Sequence, residues 1–120
     1  MPSDCLFCRI VAGDDPAEIV AREDGVVAFR DIFPRAPVHV LVVPEEHLDS
    51  AHDLTADHTP LLGRLFQVAR EVAEAEGTAD GYRIATNIGA VGGQAIPHLH
   101  LHVLGGRQLG HIDTGEPPRG

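Results

Sequence analysis

Pro97-His98-Leu99-His100-Leu101-His102-Val103-Leu104 alternates imidazole and aliphatic side chains without a break. In an extended strand, alternate side chains face the same way. The run His98 to Leu104 therefore reads as a strand. His98, His100 and His102 share one face, their attachments about 7 Å apart, and Leu99, Leu101 and Val103 turn toward the core. Gly105-Gly106 closes the run, and the glycine-rich segment Gly89 to Gly93 precedes it.

Working outward, Tyr82 to Asn87 reads as another strand. Before it, Leu61, Leu62, Leu65, Val68, Ala69 and Val72 follow helical spacing. Thr59-Pro60 is a helix start, with a hydroxyl to cap and Pro at the first helical position. Gly77 is a stop signal, so the principal helix should cover roughly residues 60 to 76. Val38 to Val43 is β-rich, and Glu18 to Glu23 and Val26 to Arg30 flank Asp24-Gly25, a strong hairpin turn pair. Residues 5 to 12 form a short helix broken by Gly13-Asp14-Asp15-Pro16. Closely spaced strands around one main helix indicate an α+β domain with a mostly antiparallel sheet.

The chain has 120 residues, enough for one compact domain spanning residues 1–120, with a polar Pro/Gly-rich tail over 110–120. Its formal net charge of −9 argues against nucleic acid or an anionic membrane as partner. Every basic side chain is Arg, which removes lysine Schiff-base and Walker-type phosphate chemistry. No apolar run approaches a membrane span, and the acidic N-terminus does not read as a secretory signal. The expected setting is cytoplasmic.

Three imidazoles in a row are costly if all are charged, so most should be neutral near pH 7. A neutral imidazole is a nucleophile through one nitrogen if the other donates to a fixed acceptor. His100, flanked on both sides, suits attack, and His102 can supply a proton to a leaving group. The glycine loop could bring backbone N–H groups close to phosphate oxygens. Histidines at i and i+2 can also chelate a metal, and periodicity alone does not choose between the two.

The stretch Gly92-Gly93-Gln94-Ala95-Ile96-Pro97 through the histidine run to Leu104-Gly105-Gly106-Arg107-Gln108 resembles the signature of the histidine triad (HIT) superfamily, its ending that of the Hint branch. Asp31-Ile32, Ala36-Pro37-Val38-His39, Pro44-Glu45-Glu46-His47, Gly81-Tyr82-Arg83 and Asn87 stand in similar order, so the resemblance covers nearly the whole chain. It implies a homodimer whose subunits have a five-stranded antiparallel sheet, one main helix and one short N-terminal helix. It implies purine nucleoside phosphoramidase activity through a nucleotidyl-His100 intermediate, with His102 as acid and His98 orienting the site. Asn87, Ala95 and the backbone at Gly93 would lie at the phosphate and Asp31 at the ribose. Phe7, Ile10, Phe29, Ile32 and Leu41 would wall the base pocket. The alternatives are a non-catalytic nucleotide-binding or interaction module and, in the Fhit branch, a dinucleoside polyphosphate hydrolase; the Leu-Gly-Gly-Arg-Gln ending speaks against the latter. Three positions depart from the Hint pattern. Ala95 stands where many have Ser, Pro97 where an aromatic is frequent, and Leu109-Gly110-His111 where some carry Trp.

Cys5-Leu6-Phe7-Cys8 offers two thiolates at zinc spacing. Some HIT proteins complete such a pair with a loop histidine and the first triad histidine. The expected structural zinc ligands are Cys5, Cys8, His47 and His98, with no organic cofactor. His39 could join the triad network or sit satisfied in the core. His52, His58 and His111 are expected to face solvent.

Overall fold

Asp24 and Gly25 both take positive φ, +47° and +81°, the conformation a two-residue hairpin needs to match strand twist. They join β1 (Ile19–Glu23) to β2 (Val26–Arg30). The computed structural model describes residues 3–112, so most of the expected polar tail lies outside the described residues. α1 (Leu6–Ala12) precedes the hairpin, and β3 (Val38–Pro44) follows it. α2 (Thr59–Ala75), β4 (Tyr82–Ala85) and β5 (Leu101–Gly105) complete the chain. The strands form one antiparallel sheet in the order β1-β2-β3-β5-β4.

Alternation along β3 divides the molecule into two layers. Val40 and Val42 pack with Leu99, Leu101 and Val103 against α2. Leu41 and Val43 turn the other way and pack with Phe7, Ile10 and Phe29 beneath α1. α2 supplies Leu65 and Val68 at 0% and 1% exposure. Burial of each contributes about 1.5–3 kcal/mol, so the α2 face carries most of the cohesion. Arg30, on β2, bonds Glu18 before β1 and, through both terminal nitrogens, Glu76 at the end of α2.

Two expected boundaries move. Thr59 is the first residue of α2 and not its cap; its hydroxyl donates to the Ala56 carbonyl (2.8 Å). A 3-10 turn, Ala56–His58, runs straight into the helix and already occupies the capping region. The strand expected over Tyr82 to Asn87 ends at Ala85, because its partner β5 begins only at Leu101. Gly77, at φ +80°, ends α2 as expected, with its N–H on the Glu74 carbonyl and that of Thr78 on Ala73.

Candidate active site

The histidine run is only half strand. β5 begins at Leu101, so His98 and His100 precede it. The register pairs Val42 with Leu101, and continuing it would bring Pro44 opposite Leu99. Pro44 has no N–H to donate, and the ladder stops. The Leu99 N–H bonds the Leu48 carbonyl instead (2.7 Å). The expected separation of faces still holds. Leu99, Leu101 and Val103 are buried against α2, while the His98 and His100 rings lie edge-on to Phe7 of α1, at 6.0 and 5.1 Å between centroids.

The hydrogen bonds fix every tautomer in turn. A carbonyl can only accept. His100 Nδ1 lies 2.7 Å from the His98 carbonyl, so Nδ1 carries the proton and Nε2 keeps its lone pair. His98 Nε2 lies 2.9 Å from the Pro44 carbonyl, so its Nδ1 is the open nitrogen. The Arg35 N–H donates to His39 Nδ1 (3.1 Å), which leaves the His39 proton on Nε2. That nitrogen is 2.9 Å from His102 Nδ1 and donates to it. His102 therefore presents Nε2–H. Neighbouring imidazoles are thus set to opposite roles, His100 with a lone pair and His102 with a proton.

Burial holds His39, His98 and His100 below the usual histidine range. His102 is pushed down to about 4, first by burial and then by repulsion from His100 and His39, against the attraction of Asp31. All four rings are neutral at pH 7. His39, 3% exposed, is both a satisfied core histidine and a member of the network. Asp31 Oδ2 also lies 3.5 Å from His39 Nε2. Asp31, His39 and His102 also bring three possible ligand atoms within 4.8 Å of one another, and the two ring nitrogens among them are joined by the His39–His102 hydrogen bond. Of the histidines expected to face solvent, His52 and His111 do, while His58 is half-buried, its Nδ1 accepting from the Thr55 N–H (3.0 Å).

A cavity of about 490 Å³ opens beside His100 and His102, between α1 and the sheet. Every residue expected to bind nucleotide lines it: Phe7, Ile10, Phe29, Ile32 and Leu41 on the apolar walls, and Asp31, Asn87, Gly93 and Ala95 toward the histidines. Ile32 sits at the rim, 77% exposed. One expected donor is already engaged. The Gly93 N–H bonds the Ala90 carbonyl (3.0 Å), within a loop that Asn87 Nδ2 also braces through the Gly92 carbonyl (2.9 Å). The Ala95 N–H has no protein partner among the described residues and is an open backbone donor at the cavity. The loop's hydrogen-bond pattern, which moves the open N–H from Gly93 to Ala95, left no signal in composition. Neither did the Arg35 N–H, the Pro44 carbonyl or Asp49.

Cys5, Cys8, His47 and His98 converge beside the triad, their donor atoms within 4.8 Å of one another. Sγ of Cys5 and Cys8 lie 3.4 and 3.5 Å from His98 Nδ1, and Cys8 Sγ is 3.3 Å from His47 Nδ1. The sulfur–nitrogen edge of a tetrahedral zinc site is about 3.6 Å. Both histidines are turned to suit. His98 Nε2 is held by Pro44, and His47 Nε2 lies 2.8 Å from Asp49 Oδ1, so both Nδ1 lone pairs face the thiols. A carbonyl and a carboxylate behind the ligating rings is the usual outer support of a bound metal. The four residues fit a closed metal site.

The model of the family described as HIT domain matches residues 12–109. The purine nucleoside phosphoramidase of Escherichia coli strain K12 is 44% identical over 111 residues, 92% of this chain and 93% of that protein. An uncharacterised HIT-like protein of Synechococcus elongatus is also 44% identical, over 91% of this chain and 96% of its own length. Among solved structures, a HIT family hydrolase from Clostridium thermocellum superposes with a TM-score of 0.88 at 37% identity, covering 93% of this chain and 98% of that one. Another from Legionella pneumophila gives 0.85 at 43% identity, covering 88% and 95%. With the sheet order, the histidine run and these matches in agreement, the chain belongs to the HIT domain family.

Proposed function

We propose that the protein is a purine nucleoside phosphoramidase, cleaving a P–N bond at the α-phosphate in two steps. The observation that carries this is the opposed setting of adjacent rings: a lone pair on His100 Nε2 and a proton on His102 Nε2, both lining one cavity. His100 Nε2 attacks phosphorus and a P–N(His) bond forms. The substrate P–N bond breaks, and the departing amine takes the Nε2 proton of His102. The positive charge on the nucleotidylated ring, 4.9 Å from His102 between centroids, offsets the proton given up. The His39 Nε2–H, donating to His102 Nδ1, steadies the negative charge left on the His102 ring. Water then attacks phosphorus, its proton goes to His102 Nε2, and His100 leaves with its lone pair restored. In this reading the Ala95 N–H and Asn87 hold phosphate oxygens, and the Asp31 carboxylate accepts ribose hydroxyls.

Zinc on Cys5, Cys8, His47 and His98 would add folding energy and fix the His98 ring. Its role would be structural, since the His98 carbonyl already orients the nucleophile. The 44% identity to a purine nucleoside phosphoramidase supports the substrate class. We further read the chain as a single cytoplasmic domain that forms a homodimer. The open outer edge of β4 and exposed Leu62 and Phe66 on α2 support the dimer, and light scattering after size exclusion tests it. No helix among the described residues is long and apolar enough to cross a membrane.

The test is incubation with adenosine 5′-phosphoramidate. The wild type should release AMP and His100→Ala should not, while still binding AMP. Binding without release by the wild type would instead favour a nucleotide-binding module.

A further inference from the structure

The apolar end of the cavity contains one acid that the proposed chemistry does not use. Gly13, at φ +84°, ends α1 and turns the chain so that Asp15 enters the cavity wall beside Leu6, Ile10, Pro16 and Ala17. Its side chain is 33% exposed and is held in place. Oδ2 accepts from Arg9 Nε (3.0 Å), the Asp15 N–H reaches the Arg9 carbonyl (3.3 Å), and Pro16 restricts the backbone that follows. Oδ1 has no protein partner among the described residues. The remaining charged side chains of the cavity wall lie elsewhere: Arg30 is bound by Glu18 and Glu76, and Asp31 and Arg35 belong to the segment joined to His39.

With phosphate at His100, His102 and Ala95 and ribose at Asp31, the base falls against Phe7, Ile10 and Phe29, and its far edge meets the Asp15 end. We infer that Asp15 reads this edge and makes the protein prefer guanine over adenine. This rests on the phosphoramidase reading of the site. The purine edge farthest from the sugar carries N1 and the 2- and 6-substituents. An ionised carboxylate only accepts. Guanine offers it two donors, N1–H and the 2-amino group. Adenine offers one, the 6-amino group, and turns the N1 lone pair toward the negative charge. A two-donor match of this kind discriminates by about tenfold or more, and partial exposure keeps Asp15 at the low end.

The experiment compares kcat/KM for guanosine and adenosine 5′-phosphoramidates in the wild type, Asp15→Leu and Asp15→Asn. The wild type should favour guanosine about tenfold. Leu should bring the ratio near one. Asn keeps an oxygen for Arg9 and turns an N–H into the cavity, which suits adenine N1 and opposes guanine N1–H, so the preference should invert. A wild-type ratio near one, or a ratio unchanged in both variants, would overturn the inference. Dissociation constants of GMP and AMP, measured by calorimetry on the same proteins, separate the two readings. If the wild type hydrolyses neither substrate, the phosphoramidase reading fails, and the GMP-to-AMP binding ratio still decides Asp15. Thermal melts establish that the variants are folded.

Discussion

Replacing His39 by Ala removes a ring that never needs to touch substrate, yet the structure predicts a specific loss. His39 takes the Arg35 N–H on Nδ1 and gives Nε2–H to His102 Nδ1. Without it, His102 can place its proton on either nitrogen, which costs about a factor of two if the tautomers are equally populated. The lost hydrogen bond, about 0.5–1.5 kcal/mol net, corresponds to a further factor of roughly 2 to 13. Together these give a fall in kcat of about tenfold for a substrate whose amine must be protonated to leave. Stability should also fall by about 1–3 kcal/mol, because the Arg35 N–H is left without its acceptor. Stability loss alone would not distinguish this account from a packing defect, so the deciding assay varies the leaving group. With alkylamine phosphoramidates the tenfold loss should appear; with an electron-poor arylamine, which departs with little help, it should shrink toward one. A deficit of equal size across the series would refute the tautomer argument.

Adding one methyl at Gly92 should disturb the phosphate loop, since its Cβ would lie 2.2 Å from the Ile88 carbonyl oxygen. Gly92→Ala is expected to cost about 1–3 kcal/mol in a denaturant melt and to weaken AMP binding in calorimetry. Purified protein should hold one zinc per chain by elemental analysis, and Asp49→Ala, which removes the carboxylate behind His47, should lower zinc affinity about 10- to 100-fold. Zinc absent from metal-replete wild type would sink the four-ligand site. Stability should fall as pH drops from about 6.5 toward 4. His39 and His102 are held neutral in the folded protein, His102 down to about 4, while the unfolded chain takes up protons near 6.5. Their contribution is therefore complete above that range and lost below it. A urea midpoint that is flat between pH 7.5 and 4.5 would contradict this.

What could be read from the sequence was what repeats locally. Asp24-Gly25 specifies its own backbone, and the six apolar positions of α2 and the alternation around His100 each declare a face within a few residues. The failures share a different cause. Thr59 has the right chemistry for a cap, but a preceding 3-10 turn, visible only in three dimensions, supplies the carbonyl its hydroxyl bonds. His98 and His100 alternate as a strand should, but strand pairing also needs a partner, and Pro44 ends it from the neighbouring segment. His39 is an isolated histidine in sequence, and its role depends on a ring 63 positions away. Asp15 reads as part of a turn, which it is; that the turn also walls a cavity follows only from the packing of α1. The triad itself was legible because its spacing matches the period of an extended chain. Its tautomers were not, since backbone groups of Arg35, Pro44 and His98 set them.

The alternation of β5 also constrains how this protein can change over generations. Every residue between His98 and Gly105 belongs to either the catalytic face or the α2 face, by parity alone. Deleting or inserting one residue there would send Leu99, Leu101 and Val103 into the cavity and three imidazoles into the α2 core. Point substitutions can be sampled one at a time along this segment, but a change in its length by an odd number has no viable intermediate. Length variation among descendants should instead collect in the turns between Ser50 and Thr59, beyond the metal ligand His47 and its support Asp49, where no parity has to be kept.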